Sequence, residues 1–294
     1  MNERTANAGQ ALLDDTVTEE WRDARLPTAF TRSHEKHAVG LRDLSAALIA
    51  DAGIKPGDHV LDIASGSGNP ALQIARLVGP AGSVTATDPS PIFIDALTKN
   101  ARDAGLTNLT IVQTSAAKLD FPANTFDAAT CQFGVMFFPD VRAGLERIRR
   151  VLRPGARAAF LAWGPMPQNH FFGAFWQAAI PYLPPDLVAQ RMAPPSPAQP
   201  SPGRFAGAGS LSAELTSAGF SDVRERLEVI DVRWHGPAED VVEDQANISQ
   251  IEQQMQPGDR ARFRAEAAAN FRRFQTEEGL RIPAAVVIAS GRAS

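Results

Sequence analysis

A single cysteine, Cys131, stands among 294 residues. A disulfide framework or a cysteine-rich metal site is therefore excluded within the chain. A basic surplus is missing too: 29 Lys and Arg face 33 Asp and Glu, for a formal net charge of −4. Nucleic-acid binding needs a concentrated positive field, so DNA and RNA are set aside as partners. No apolar run reaches the ~18 residues of a membrane-spanning helix. The opening stretch MNERTANAGQALLDDTVTEEW carries no basic segment followed by an apolar one, so it does not read as a secretory leader. With these classes removed, a soluble, cytoplasmic protein is expected. The 44% hydrophobic content suits one large or two small globular domains.

Periodicity then orders the chain. Residues 1–20 are polar and expected to be loose, and helical spacing begins at Trp21, with Leu41, Leu44 and Leu48 on one face. Gly53 stops that pattern. Apolar strands follow at 59–64, 83–88, 109–114, 126–132 and 156–163, with helices between them at 70–78, 91–104 and 139–152. Such alternation predicts a parallel sheet covered by helices on both faces. The rhythm breaks after Trp163. An aromatic helix is expected over 169–183, a connector with five prolines over 194–203, a helix at 211–220 and a strand at 222–234. Two helices and a closing strand at 281–292 complete the chain. Four blocks result: a helical cap (1–52), a core (53–165), an aromatic insert with its connector (166–209), and the remainder of the sheet (210–294) carrying a helical lid over about 237–277.

The segment VLDIASGSGNPALQIA (60–75) runs from strand through a glycine loop into a helix. Within it, GSGNPA (66–71) matches G-x-G-x-x-A, in which glycine lets a ligand approach the backbone closely. Pro70 suits a first helical position, where its missing N–H is no loss. Asp88 ends the second strand 20 residues after Gly68, where a carboxylate can accept hydrogen bonds from both hydroxyls of a ribose. The two features together point to an adenosine-type ligand, either a dinucleotide or S-adenosylmethionine.

At this point the chain resembles the class I S-adenosylmethionine-dependent methyltransferases, in particular the branch of ubiquinone/menaquinone C-methyltransferases and small-molecule methyltransferases. VLDIASGSG is similar to the first motif of that family and TATDPSP (85–91) to its second. SAAKLDFPANTFDAATCQFGV (115–135), RIRRVLRPGARAAFLAW (147–163) and LTSAGFSDV (215–223) resemble later stretches. The resemblance implies an α/β, Rossmann-like sheet of seven mostly parallel strands, the last antiparallel, with helical lid insertions. It implies S-adenosylmethionine as cofactor and S-adenosylhomocysteine as product. It also implies that Gly66 and Gly68 pack against the methionine portion, that Asp62 fixes their loop, and that Asp88 holds the ribose beside Pro89 and Ser90. Ser115, Ala116 and Ala117 would line the adenine, where the family often has an acidic residue. Gln132 and Phe133 would face the sulfonium and the acceptor. Ala64 stands where the family often has glycine, which is harmless if its φ is negative.

Two further absences weigh against the rivals. Short-chain hydride-transfer enzymes pair a tyrosine with a lysine four residues later, but the single tyrosine is Tyr182 and position 186 is Asp186. An NAD(P)-dependent oxidoreductase is thereby disfavoured. The Asn/Asp-Pro-Pro-aromatic motif of nucleic-acid amino-methyltransferases is replaced by QFGV. A non-catalytic S-adenosylmethionine-binding protein remains an alternative that a methyl-transfer assay separates. For acid/base work the candidates are His34 and His37, three apart and able to share a helix face, and His170 at the start of the aromatic helix. No further ligands accompany the histidine pair, so no metal is expected. Phe137, Phe171, Phe175 and Trp176 are expected to wall a pocket for an apolar small molecule. A homodimer is left open.

Overall fold

The computed structural model describes residues 21, 24–193, 195–196 and 198–294. The loose stretch expected over 1–20 lies outside these residues, as do Pro194 and Pro197 of the connector. Three short helices open the chain: α1 (Arg25–Arg32), α2 (His34–Gly40) and α3 (Arg42–Ala52). α3 buries Leu44 and Leu48 and ends on Gly53 at φ +70°, a left-handed cap that a side chain would strain.

The alternating core follows in the expected order: β1 (His59–Ile63), α4 (Ala71–Val78), β2 (Ser83–Asp88), α5 (Pro91–Asp103), β3 (Leu109–Gln113), β4 (Phe126–Gln132), α6 (Val141–Val151) and β5 (Leu152–Trp163). Val60, Leu61 and Ile63 of β1 and Ala128, Ala129 and Cys131 of β4 are all buried, as a sheet covered on both faces requires. α6 starts later than periodicity suggests because Asp140 caps it, its carboxylate accepting the Ala143 N–H at 2.9 Å. β5 starts earlier, since Leu152 pairs with Phe126 before the register shifts to Ala128 against Arg157.

The second part adds α7 (His170–Ala179), α8 (Pro185–Met192), α9 (Ser210–Ser217), β6 (Ser221–Trp234), α10 (Ala238–Ser249), α11 (Arg260–Arg272), the two-residue β7 (Gln275–Thr276) and β8 (Gly279–Arg292). The aromatic helix ends at Ala179, earlier than its predicted bound, and a short 3-10 turn containing Pro181 follows. α8 was not anticipated.

The long strands lie in the order β3-β2-β1-β4-β5-β8-β6, and β7 pairs with β8. β1 to β5 run parallel, while β8 is antiparallel to both β5 and β6. The expected mostly parallel sheet with an antiparallel last strand is therefore present, enlarged by β7. β1 leads outward to β2 and β3, and the chain then returns to place β4 on the other side of β1. That reversal opens a crevice at the carboxyl ends of β1 and β4, where ligands of such sheets bind. α7 and α10 line this end and α11 packs behind them: Phe175 packs edge-on against Phe263 at 5.2 Å, and Gln245 donates to the Phe171 carbonyl at 2.6 Å. Among the described residues, no helix is long and apolar enough to cross a membrane.

Candidate functional site

Parallel register sets the site. Ile63 lies level with Thr87, so the next residue of β2, Asp88, reaches the loop that leaves β1. One Asp88 oxygen accepts the Gly66 N–H at 3.0 Å, and the other accepts the Ser90 N–H at 2.9 Å. Asp88 thus ties the glycine loop to the start of α5. Burial pushes its carboxyl up to about 6, opposed by these two backbone hydrogen bonds.

The two glycines of the loop meet different needs. Gly66, at φ +53°, would aim a Cβ into open space, and it lines the cavity above the sheet. A Cβ on Gly68 would sit 2.9 Å from Leu72 and Leu97, so this glycine serves packing against α4 and α5. Asp62 is fully buried. Thr130 donates to one carboxylate oxygen at 2.6 Å, while the other has no partner. Burial pushes this carboxyl up to about 7. Its link to the loop runs through its carbonyl, which accepts the Ser65 hydroxyl at 3.0 Å.

Two local expectations are corrected. Ala64 has φ +56°, in the left-handed region, where an L-residue is strained by roughly 1–2 kcal/mol. Its methyl group occupies the space that a Cβ on Gly134 would need, at 2.4 Å, so these two positions are matched in size. Pro70 occupies the cap position and the helix begins at Ala71, so its missing N–H lies one residue further out than expected.

The cavity measures about 2470 Å³. Pockets for one drug-sized ligand measure roughly 300–1,000 Å³, so this cavity is larger than one such ligand needs. Ala64, Gly66, Asp88, Pro89, Ser90, Ser115, Ala116, Ala117, Gln132 and Phe133 all line it, as do Phe137, Phe171, Phe175 and Trp176. Asp62 and Gly68 do not. Its polar end is short of partners. Ser115 Oγ and Asn69 Nδ2 are buried without a hydrogen bond, and Gln132 Oε1 accepts the Ser45 hydroxyl at 2.8 Å. Its other end is aromatic. Trp163 stacks on Phe133 with centroids 3.9 Å apart, and Phe172 meets it edge-on at 4.9 Å. Trp21 closes over Phe137 at 5.2 Å.

The three candidate histidines separate. His34 lines the cavity, and its Nδ1 lies 2.8 Å from Ser67 Oγ of the glycine loop. Burial, and then the neighbouring His37, hold its imidazole below the usual histidine range. His37 also lines the cavity and meets Asp244 of α10 at 2.9 Å. His170 is exposed against Phe274 and does not line the cavity. Sequence reading missed Asn69, Trp163 and Asp244. Asn69 lay inside the motif and Trp163 at a strand end, the position from which parallel sheets present side chains to ligands. Asp244 had no signal, because only tertiary packing brings it to His37. Cys131 is buried and its thiol is pushed up by burial, as expected of inert packing.

A sheet with a glycine loop at its switch point and an aspartate ending the next strand defines the class of Rossmann-like, nucleoside-binding folds. The chain belongs to the ubiE/COQ5 methyltransferase family, whose model matches residues 39–228. A 2-phytyl-1,4-naphtoquinone methyltransferase of Nostoc sp. is 37% identical over 126 residues, covering 42% of this chain and 55% of that one. A ubiquinone/menaquinone biosynthesis C-methyltransferase of Teredinibacter turnerae is 40% identical over 119 residues, covering 40% of this chain and 47% of that one. The chain thus spans about half the length of the curated relatives it matches. A solved SAM-dependent methyltransferase from Aquifex aeolicus is 20% identical, with a TM-score of 0.51 over 70% of this chain and 92% of that one, which shows a common fold. The resemblance read from the motifs is therefore borne out at the level of family and fold.

Proposed function

We propose that this protein transfers a methyl group from S-adenosylmethionine to an apolar, aromatic or quinone-like small molecule, at oxygen or carbon. One observation carries the reading: a single cavity joins a glycine loop and the buried Asp88 at one end to an aromatic wall at the other. The polar end fits the cofactor. Gly66 leaves a space that a Cβ would fill, and the unpartnered Ser115 Oγ and Asn69 Nδ2 are donors without acceptors. Asp88 has lone pairs left for ribose hydroxyls after its two backbone contacts, and the unpartnered Ser115 hydroxyl offers an adenine edge a hydrogen-bonding group where a carboxylate acceptor often stands elsewhere in the family.

When bound, S-adenosylmethionine supplies an electrophilic methyl group and departs as a neutral thioether. What the chain contributes is alignment and exclusion of water. Phe133 and Trp163 present π-faces that favour a nearby cation. α10, backed by α11, acts as a lid that meets the cap through His37 and Asp244. The quinone-type names of the relatives support an acceptor of the same kind.

Isothermal titration with S-adenosylmethionine, S-adenosylhomocysteine and NAD, followed by transfer of a radiolabelled methyl group to a panel of naphthols and quinols, tests the reading. Tight binding of NAD with no binding of the adenosyl compounds would overturn it. Binding of S-adenosylmethionine without transfer to any acceptor would favour a non-catalytic role.

A further inference from the structure

Resting on that reading, we infer that His37 and Asp244 form a base-and-orienter pair and that the acceptor therefore carries an ionisable hydroxyl, phenolic or enolic. The two residues come from segments far apart in sequence, His37 from the cap helix α2 and Asp244 from α10. Both line the cavity, and His37 Nε2 lies 2.9 Å from Asp244 Oδ2. The Asp244 side chain is only 2% exposed, and its other oxygen, Oδ1, is buried without a hydrogen-bond partner. A buried carboxylate with so few donors favours an N–H directed at it, and it steadies the positive charge that appears only when the ring takes up a proton. That fixes the neutral ring with its proton on Nε2 and leaves Nδ1, which makes no hydrogen bond among the described residues, as the acceptor.

Aromatic neighbours hold the ring in place: Phe30 at 5.5 Å and Trp234 at 6.3 Å between centroids. The position relative to the cofactor end follows from the helix. His34 precedes His37 by one turn and contacts Ser67 of the glycine loop at 2.8 Å. A rise of about 1.5 Å per residue sets His37 roughly 4.5 Å further along the axis than His34, and Phe30, which flanks its ring, also lines the cavity.

The step assigned to the pair is a proton transfer. The acceptor's O–H bond breaks, its proton forms a bond to His37 Nδ1, and the electron pair stays on the acceptor oxygen. Conjugation places that pair on the oxygen or on the carbon next to the oxygen-bearing one, so either can be the methylated atom; after methylation at carbon, that carbon's own proton leaves to solvent and restores the conjugated system. Asp244 balances the imidazolium until the proton passes to solvent, and so acts as a positioning residue.

Nitrogen-15 NMR of the imidazoles in the full chain reads the ring directly. His37 is expected as the neutral tautomer protonated on Nε2, and Asp244→Asn is expected to move that proton to Nδ1 or mix the two forms. A wild-type His37 protonated on Nδ1 would overturn the inference. 4-Nitrophenol, titrated with and without S-adenosylhomocysteine, is expected to bind with its phenolate-to-phenol ratio raised at least tenfold over the free dye at the same pH. His37→Gln and Asp244→Asn should abolish that rise, with S-adenosylhomocysteine affinity within threefold of wild type. Asp244→Glu should restore part of it. Absence of saturable dye binding, binding without ionisation, or ionisation that persists in His37→Gln each refute the pair. Failure of the cofactor reading shows separately, as absent binding of S-adenosylhomocysteine in wild-type protein, because the tautomer and dye readouts need no cofactor.

Discussion

Ala64 and Gly134 should behave as one unit, and a double-mutant cycle measures it. Gly134 has φ −87°, which any residue can adopt, so the backbone does not oppose a side chain there. Space does: a Cβ would lie 2.4 Å from the Ala64 methyl and 2.9 Å from Cys131 Sγ. Overpacking of that order costs about 1–3 kcal/mol, so Gly134→Ala should lower the urea midpoint accordingly. Ala64→Gly acts by two opposed terms. It relieves a left-handed alanine, about 1–2 kcal/mol, and adds unfolded-chain entropy of about 0.4–1 kcal/mol. The net effect is neutral to about 1.5 kcal/mol stabilising. In the double variant the 2.4 Å contact is gone and only the sulfur remains close, so a favourable coupling of about 1 kcal/mol or more is expected. Effects that add to within about 0.4 kcal/mol, or an Ala64→Gly variant destabilised by more than about 0.5 kcal/mol, would refute both the conformation assigned to Ala64 and the packing argument.

Other outcomes follow from the same site. Asp88→Asn should weaken S-adenosylmethionine binding at least tenfold, about 1.4 kcal/mol by calorimetry, in a protein that still folds. Gly66→Ala should do the same while lowering stability by roughly 1 kcal/mol, because it combines positive φ with a Cβ placed in the cradle. Burial raises the folded-state pKa of Asp62 to about 7, so the native state binds more protons than the unfolded chain between about pH 4 and 7, and this group's contribution falls as pH rises through that window. Asparagine cannot ionise, so Asp62→Asn should gain more than about 1 kcal/mol relative to wild type between pH 5 and pH 8 in urea titrations. A pH-independent difference would show that the carboxyl is not held protonated.

The cofactor end was readable because its determinants are local in sequence. Strand, glycine loop and the aspartate ending the next strand lie within 29 residues, and parallel register alone brings Asp88 to Gly66. Elements with strong periodicity were read to within a few residues, and β2 and β4 to their observed bounds. What escaped depended on long-range packing. The φ of Ala64 is set by how the loop from β1 fits beside Gly134 after β4, a relation with no sequence period. α8 hid behind Pro184 and Pro185, which read as punctuation although proline opens helices readily. His170 begins a helix as expected, but the apolar face of that helix turns Phe171 and Phe175 inward and leaves the imidazole outside.

The division between legible and illegible parts has a functional counterpart. The family match covers residues 39–228, which hold the whole glycine loop, Asp88 and the ends of β4 and β5. His34 and His37 precede it, and Asp244, Gln245 and the helices α10 and α11 follow it. The lining of the cavity is thus drawn from both: the matched segment supplies the glycine loop and the aromatic wall of Phe133, Trp163, Phe171 and Phe175, and the flanking segments add His34, His37 and Asp244. Methyl donation needs the same geometry whatever the acceptor, since the transferred group and its leaving atom do not change. Acceptor recognition is a difference of affinities and must change with the substrate. Variation confined to the flanking segments would alter their share of the cavity wall while leaving the glycine loop and Asp88 unchanged. Exchange of these flanking segments between relatives should therefore change acceptor preference while leaving S-adenosylmethionine affinity within about threefold, and a loss of cofactor binding on exchange would show that the two ends of the cavity are not separable.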